Sequence, residues 1–176
     1  DHRDLHSFPT RRSSDLYQHY EISNYARPTY QCQHNRVYWE NRPFYGFGMG
    51  AASYLHQQRW QRPRTTHAYE AWVDEYCEAN SAAETLLGAA ATLDDRWLDR
   101  LMMGLRLSEG LSLDALTQEF GGDRVERLRH CLQPYQQQQW VAITEPPAPV
   151  VQFTDPEGFL FSNVVLVNLF ETFGEA

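Results

Sequence analysis

Apolar side chains recur at helical spacing through most of residues 67–173, in stretches divided by helix-capping and helix-breaking residues. The first stretch, His67 to Asn80, carries its aromatic and apolar residues at i, i+3, i+4 and i+7. Thr92 and Asp95 have the spacing of a capping box, and we expect the helix behind them to end at Gly110. The two further predicted helices run from Ser112 to Gly121 and from Asp123 to Gln138. This pattern predicts a mainly helical carboxyl-terminal domain.

A strand hairpin and a last helix are predicted after these helices. Residues 140–144 and 150–154 flank the proline-rich turn at 146–149, and Thr154 is the expected cap of the final helix. That helix is apolar nearly all round between Phe159 and Phe173, which indicates either a buried helix or a contact with a partner. The order of these elements is typical of a winged-helix-like module.

Winged helices often bind DNA, but the charges of this chain argue against a nucleic-acid partner. The arginines of residues 123–129 alternate with acidic residues, which is typical of a solvated helix face. The net charge is −8, whereas phosphate recognition requires a basic surface.

Residues 17–66 differ in composition from the helical segment, because they are rich in aromatic residues and contain several glycines. Residues 17–26 are interpreted as a strand that enters a turn at Pro28, and residues 36–41 as a second short strand. The polar stretch Gln57 to Thr66 is interpreted as the linker between two domains. The predicted fold class is therefore α+β, with one domain in 17–66 and a helical domain in 67–176.

Residues 1–16, DHRDLHSFPTRRSSDL, show neither helical nor strand periodicity. The string resembles the translation of a short-read sequencing adapter, so we set it aside as an artefactual tail. The expected natural sequence then begins within a gene, at Tyr17.

Composition excludes several kinds of chemistry. The chain contains no lysine, which excludes a P-loop lysine, a Schiff base and a lysine general base. Its three cysteines are far apart, so they predict reduced thiols in a cytoplasmic protein and cannot hold an iron–sulfur cluster with local ligands. No apolar run reaches the roughly 18 residues of a membrane-spanning helix.

The densest group of chemically useful side chains is residues 32–39. His34 and Tyr38 are four residues apart, so they share one face of either a helix or a strand. Imidazole and phenolate are both iron ligands. Trp39 is able to lie flat on a macrocycle, and Arg36 to pair with a carboxylate such as a haem propionate. The alternative is a structural histidine beside core aromatic residues.

Two further groups are candidates for a pocket wall. Gly48, Gly50 and Ser53 lie in a segment where small residues admit a ligand close to the backbone, and the alternative is a tight strand connection. Glu21, with Ser23 and Asn24, places polar groups at a strand end, and the alternative is a turn stabilised by these side chains.

Five motifs, in order along the chain, resemble the carboxyl-terminal part of the radical-SAM haem chaperones, the HemW family, which are related to the oxygen-independent coproporphyrinogen III oxidases. They are YEISNYARP, CQHNRVYWEN, YGFGMGAASY, LMMGLRLSEGL and FTDPEGFLFSN, and the resemblance covers residues 17–176. The string H-N-x-x-Y-W marks the chaperone branch and has been linked to haem binding. It implies His34, Asn35, Tyr38 and Trp39 as haem contacts, with His34 as a possible ligand of the iron. Thr29 departs from the family, which usually has glycine there.

The resemblance also implies a cofactor environment. In the full-length family, an upstream (β/α) barrel binds a [4Fe–4S] cluster and S-adenosylmethionine through a C-x-x-x-C-x-x-C loop that this chain does not contain. Residues 17–66 are then the closing strands of that barrel, and Glu21, Ser23, Asn24, Gly48, Gly50 and Ser53 are candidates for its cofactor or substrate pocket. We expect this chain to be catalytically inactive and to bind haem weakly or not at all in isolation.

The favoured function is haem binding and delivery to respiratory haem proteins by a cytoplasmic protein, with peripheral membrane association allowed. The alternative is an oxygen-independent coproporphyrinogen III oxidase, which decarboxylates its porphyrinogen substrate by radical chemistry. A third interpretation is a plain winged-helix interaction module, which predicts that residues 17–66 hold no ligand.

Overall fold

The computed structural model describes residues 16–78 and 91–174 and shows a mixed helical and sheet protein. Its helices are α1 (Gln33–Trp39), α2 (Thr66–Glu78), α3 (Leu93–Gly104), α4 (Leu113–Phe120), α5 (Gly122–Gln137), α6 (Glu157–Leu160) and α7 (Ser162–Phe173). Its strands are β1 (Gln18–Glu21), β2 (Asn24–Ala26), β3 (Ala52–Leu55), β4 (Gln58–Gln61), β5 (Leu111–Ser112), β6 (Val141–Ile143) and β7 (Val150–Phe153). The predicted tail lies outside the described residues except for Leu16, and so does the predicted helix end at Asn80.

The main hydrophobic core is formed by the carboxyl-terminal helices and the small sheet beside them. Trp97 of α3 is fully buried, and its ring meets Phe120 of α4 edge-on at 5.1 Å and Phe173 of α7 at 5.5 Å between centroids. The predicted inward stripe of α5 is confirmed, since Val125, Leu128 and Leu132 are all buried. One aromatic side chain thus joins three of the helices that sequence periodicity predicts.

The predicted hairpin is confirmed as an antiparallel pair, β6 with β7, in the register Val141 to Phe153. β5 pairs with the other side of β7, so the strand order is β5-β7-β6. Ser112 ends β5 and caps α4, as predicted, by accepting a hydrogen bond from the backbone N–H of Ala115 at 3.3 Å. Strand and helix are therefore joined without a loop.

The predicted capping box at the start of α3 is also confirmed. The backbone N–H of Asp95 donates to Thr92 Oγ1 at 3.0 Å, and the Thr92 backbone N–H donates to Asp95 Oδ2 at 2.9 Å. The Thr92 hydroxyl donates to the same carboxylate at 2.8 Å. These bonds, the backbone one first, lower the pKa of the Asp95 carboxyl.

We expect the Thr92→Ala substitution to lower the free energy of unfolding by about 1 kcal/mol, because it removes an N-cap.

The lowered pKa of Asp95 makes the free energy of unfolding depend on pH, because the folded state favours the ionised carboxylate. This contribution is present above the unfolded-state pKa of about 4 and is lost as the pH falls through the lower folded-state pKa. Urea unfolding at several pH values measures it. Asp95→Asn should show a shallower loss of stability on acidification, and an unchanged slope contradicts the assignment.

The helix that follows this cap ends earlier than predicted. α3 ends at Gly104 rather than Gly110, and the chain then turns through residues 105–110 into β5. A Cβ on Gly104 would lie 2.3 Å from Leu111 Cδ2, so glycine permits close packing of the helix end against β5. Gly110 has φ +67°, and its missing side chain makes room for the Val151 carbonyl oxygen. It therefore shapes the turn before β5 instead of ending the helix.

The amino-terminal half differs from prediction in three places. Residues 17–26 form a two-stranded hairpin, β1 with β2, and not a single strand. Residues 33–39 form helix α1, so the predicted strand at 36–41 is wrong. The predicted linker at 57–66 contains β4, which pairs with β3. Thr29 has φ +71°, a left-handed conformation that favours the glycine the resemblance leads one to expect.

The β1–β2 hairpin packs on the helical part of the molecule. The Ile22 N–H donates to the Arg106 carbonyl at 2.9 Å, and the Ser108 N–H donates to the Tyr20 carbonyl at 3.1 Å. His19 stacks on Tyr25 with ring centroids 4.2 Å apart, and its Nδ1 lies 3.0 Å from an Asp155 carboxylate oxygen. These contacts fix the amino-terminal hairpin against the turn that follows α3 and against the residues before α6.

The last helix is buried on one side only. α7 places Val165, Leu166 and Leu169 in the core, whereas Val164 and Val167 are more than half exposed. The prediction of a buried helix is thus correct for one face. Across the described residues, no helix is both long enough and apolar enough to cross a membrane.

Candidate functional site

The face of α1 carries the imidazole and the phenol that the sequence singles out. His34 is exposed, and its Nε2 lies 2.9 Å from the Tyr38 hydroxyl oxygen. The two rings meet edge-on with centroids 4.8 Å apart. This is the i, i+4 arrangement of a helix, so the helical alternative places both groups on one face, as expected. The pair places one nitrogen and one oxygen atom, both of a kind that binds iron, at the protein surface.

The α1 face is connected to the sheet region by aromatic contacts. Tyr38 packs edge-on against Phe44 at 4.6 Å, and Phe44 stacks with Tyr54 of β3 at 6.4 Å. Phe44 and Tyr54 also exchange two backbone hydrogen bonds of 2.8 and 2.9 Å. Tyr38 is therefore held from behind, whereas the His34 ring remains exposed.

Trp39 and Asn35 lie on α1 as half-buried residues. The Arg106 guanidinium lies 5.6 Å from the centre of the Trp39 ring, so a cation already covers one face of the indole. Burial lowers the pKa of Arg106. The Trp39 Nε1 is buried without a hydrogen-bond partner among the described residues.

Arg36 is engaged within the protein and not free to meet a propionate. Its guanidinium pairs with Glu40 at 2.6 Å and with Glu109 at 2.9 Å, and it also bonds the Gln31 side chain. The hydrogen bond to Glu109 is the largest cause of its raised pKa. The expectation that Arg36 binds a ligand carboxylate is thus opposed by two carboxylates of the chain itself.

Glu21, Ser23 and Asn24 form a closed turn at the end of the β1–β2 hairpin. The Glu21 carboxylate is fully buried and accepts hydrogen bonds from the Ser23 N–H at 3.1 Å and the Ser23 hydroxyl at 3.3 Å. Its other oxygen accepts from the Asn24 amide. The side chains therefore satisfy one another, which is the arrangement of the turn alternative.

The glycine-rich segment forms a tight connection before β3. The Gly46 N–H donates to Ser53 Oγ at 3.0 Å, and Ser53 is fully buried. Gly48 and Gly50 have φ +88° and +72°, and the Gly50 N–H donates to the Pro63 carbonyl at 2.9 Å. These positive φ values favour glycine at both positions.

Sequence reasoning missed a buried arginine among aromatic rings. Arg62 is 6% exposed, and its guanidinium carbon lies within 4.9–5.8 Å of four ring centres. These rings belong to Tyr45, Phe47, Trp60 and Trp72. No local spacing predicts the cluster, because its members come from a loop, a strand and a helix. Among the described residues, no group of three His, Cys, Asp or Glu side chains is placed to hold a metal ion.

Comparison with known proteins gives a consistent set of similarities. Residues 91–145 match the family model described as HemN C-terminal domain. The heme chaperone HemW of Synechocystis is 36% identical over 95% of this chain and 46% of its own length. The heme chaperone HemW of Lactococcus lactis is 29% identical over 59% of this chain and 26% of its own length. The chain thus spans less than half of these curated relatives.

A solved structure shares the fold. The coproporphyrinogen III oxidase HemN of Escherichia coli, described as a radical SAM enzyme, superimposes with a TM-score of 0.61. The match covers 91% of this chain and 38% of that protein, at 18% sequence identity. At that identity the likeness concerns the fold alone.

Proposed function

The chain belongs to the family of the heme chaperone HemW and corresponds to the carboxyl-terminal part of those proteins, and from this premise we propose that the protein binds haem and delivers it to respiratory haem proteins. The observation that carries the proposal is the 36% identity to a heme chaperone along 95% of the chain. We place the protein in the cytoplasm, with peripheral association at the membrane where respiratory acceptors reside.

Within this function, His34 is the proposed contact to the haem iron. Its ring is exposed on α1, and imidazole nitrogen is a common axial ligand of haem. The Tyr38 hydroxyl holds Nε2 at 2.9 Å, so this hydroxyl must release Nε2 if that nitrogen binds iron. Tyr38 would then offer a phenol oxygen next to the imidazole. A ligand held through such an exchangeable bond suits a protein that passes haem on.

Trp39 and Asn35 are proposed to contact the porphyrin as neighbours of His34 on the same short helix. Trp39 offers the macrocycle one face of its ring, since Arg106 lies over an indole face at 5.6 Å. Glu21, Ser23, Asn24, Gly48, Gly50 and Ser53 remain proposed as residues of the cofactor or substrate pocket of the full-length protein, and each also has the local structural role given above.

The wider architecture is also a proposal. We assign residues 17–66 to the closing part of a radical-SAM barrel and residues 67–176 to a winged-helix-like domain, with 1–16 left aside. The order α3, α4, α5, β6, β7, α7 and the HemN C-terminal domain match at 91–145 support the second assignment. The described residues offer no ligand set for a [4Fe–4S] cluster. The cluster and S-adenosylmethionine are proposed for the full-length family only.

Nucleic acid is not a proposed partner, and α5 supports this exclusion. Arg124 pairs with Asp94 of α3. Arg127 lies 4.9 Å from the Phe173 ring centre and bonds the Thr172 carbonyl. Two arginines of the helix that would enter a DNA groove are thus directed at the protein itself.

The alternative function, oxygen-independent coproporphyrinogen III oxidase, has weaker support. The relative with that name shares 18% identity and so supports the fold, whereas the curated relatives reported above at 29% and 36% identity are named heme chaperones. The chaperone function is therefore preferred.

A titration with haem tests the proposed contact. The wild-type chain and the His34→Ala variant are titrated with haem in excess, and the Soret band is followed. We expect a weak but saturable red shift for the wild type, which His34→Ala abolishes because the axial nitrogen is gone.

His130→Ala is the matched control, since His130 is another exposed histidine on a helix. It should bind haem like the wild type. If His34→Ala and His130→Ala change the Soret band equally, or if neither does, His34 is not the contact.

A further inference from the structure

A polar cavity lies between the end of α1, the β3–β4 hairpin and α3. Its volume is about 180 Å³, and its lining includes Arg96, Arg100, Tyr54 and Asn41. Arg96 and Arg100 stand at i and i+4 on α3, so both guanidinium groups reach the same side of that helix. Two like charges at this spacing repel each other unless a negative charge lies between them.

Neither arginine has a carboxylate partner within the part of the chain that the structure describes. Arg96 bonds the side-chain carbonyl of Gln57, and Arg100 Nη1 reaches the Glu40 backbone carbonyl at a long 3.4 Å. By contrast, four arginines elsewhere in the described residues form ion pairs with Asp or Glu. The cavity thus gathers cations whose charge is not balanced by direct pairing.

Two polar atoms at the cavity are buried without a partner. These are Arg100 Nε, a donor, and Asn41 Oδ1, an acceptor. Buried polar atoms are nearly always hydrogen-bonded, so the unpaired Arg100 Nε donor indicates an occupant that accepts a hydrogen bond. Asn41 lies two residues after the end of α1 and has a left-handed backbone, with φ +51°.

The remaining lining groups include one phenol and two carboxylates. Tyr54 is buried, and this burial is the first cause of its raised pKa, so the phenol keeps its proton and remains able to donate. The carboxylate of Glu40 also lines the cavity, but Arg36 at 2.6 Å and Arg42 at 2.8 Å already neutralise it. Glu119 is the second lining carboxylate and is exposed to solvent.

We propose that this cavity is a binding site for an oxyanion, a phosphate or carboxylate group that the Arg96 and Arg100 guanidinium groups bind together with the Tyr54 hydroxyl. Planar guanidinium groups match the paired oxygens of such anions and bind them with charge-assisted hydrogen bonds. The bound anion satisfies Arg100 Nε and relieves the repulsion between the two arginines. This site is separate from the proposed haem contact and does not depend on it.

Arginine side-chain NMR tests the site with inorganic phosphate as the probe. The Nε–Hε resonances of the intact chain are followed as phosphate is added at constant ionic strength. We expect saturable shifts for Arg96 and Arg100, and a weakening of about tenfold or more in Arg100→Gln because a charge-assisted bond is lost. Arg129→Gln on α5 removes the same charge outside the cavity and should leave the affinity unchanged.

Arg100→Lys is a second variant for the case that Arg100→Gln does not fold. It keeps the positive charge and should retain part of the phosphate affinity. Far-UV circular dichroism checks the fold of each variant. Shifts that never saturate, or an affinity that Arg100→Gln and Arg129→Gln change equally, overturn the proposal.

A second arm identifies the source of the oxyanion. Protoporphyrin IX carries two propionates, and its dimethyl ester carries none. If protoporphyrin IX displaces phosphate and its dimethyl ester does not, the site binds a propionate. Saturable phosphate binding without competition supports it as a site for a free oxyanion.

Discussion

Replacing Trp97 with alanine is expected to lower the free energy of unfolding by about 3–5 kcal/mol, the range for large aromatic residues removed from a packed core. The side chain is fully buried and meets Phe120 and Phe173, so its loss leaves a cavity where α3, α4 and α7 converge. Urea or thermal unfolding followed by circular dichroism measures the change.

Tyr30→Ala is the control, because Tyr30 is an aromatic residue that is 78% exposed. We expect its effect to stay within about 0.5 kcal/mol, as for most surface substitutions. A Trp97→Ala protein that unfolds like the control would contradict the three-helix core described here.

The second large effect is expected at Glu21. Glu21→Ala should cost about 2–3 kcal/mol, because it deletes a fully buried carboxylate that accepts three hydrogen bonds from Ser23 and Asn24. The hairpin would then lose the turn that aligns Ile22 with the Arg106 carbonyl. Chemical denaturation of the purified variant measures this cost.

The outcome also separates the two interpretations of this turn. Glu126→Ala, on an exposed position of α5, is the matched control and should be nearly neutral. If Glu21→Ala proves as stable as Glu126→Ala, the carboxylate is not structural, and the pocket interpretation drawn from the family resemblance returns.

Local signals predicted the carboxyl-terminal half well. Two helix starts were predicted from capping residues: one from the pair Thr92 and Asp95, the other from Ser112. Caps are local signals, because they depend on residues only three positions apart. The predicted end of α3 was wrong, because the glycine at 104 is required by packing against Leu111, a contact between different elements, and not by helix-ending geometry.

The amino-terminal half was harder because its elements are short. Aromatic and β-branched residues at 37–39 suggested a strand, but seven residues suffice for α1, whose Arg36 pairs with Glu40 one turn later. The hairpin at 17–26 was missed because Ile22 and Ser23 lack the usual Asn-Gly turn signal.

The candidate site was predictable only where it is local. The spacing of His34 and Tyr38 placed both on one face, and the structure adds the 2.9 Å bond between them. The role of Arg36 was not predictable, because Glu109 comes from another part of the chain. The Arg62 cluster and the Arg96–Arg100 cavity likewise depend on packing between elements.

The most direct test of the haem proposal locates the bound porphyrin on the protein. Gallium protoporphyrin IX, a diamagnetic substitute for haem, is added to ¹⁵N-labelled protein, and amide shifts are recorded. The account predicts that the largest shifts fall on Gln33–Trp39, with His34 among them. Saturable shifts centred on the aromatic cluster around Arg62, with Gln33–Trp39 unchanged, would contradict it.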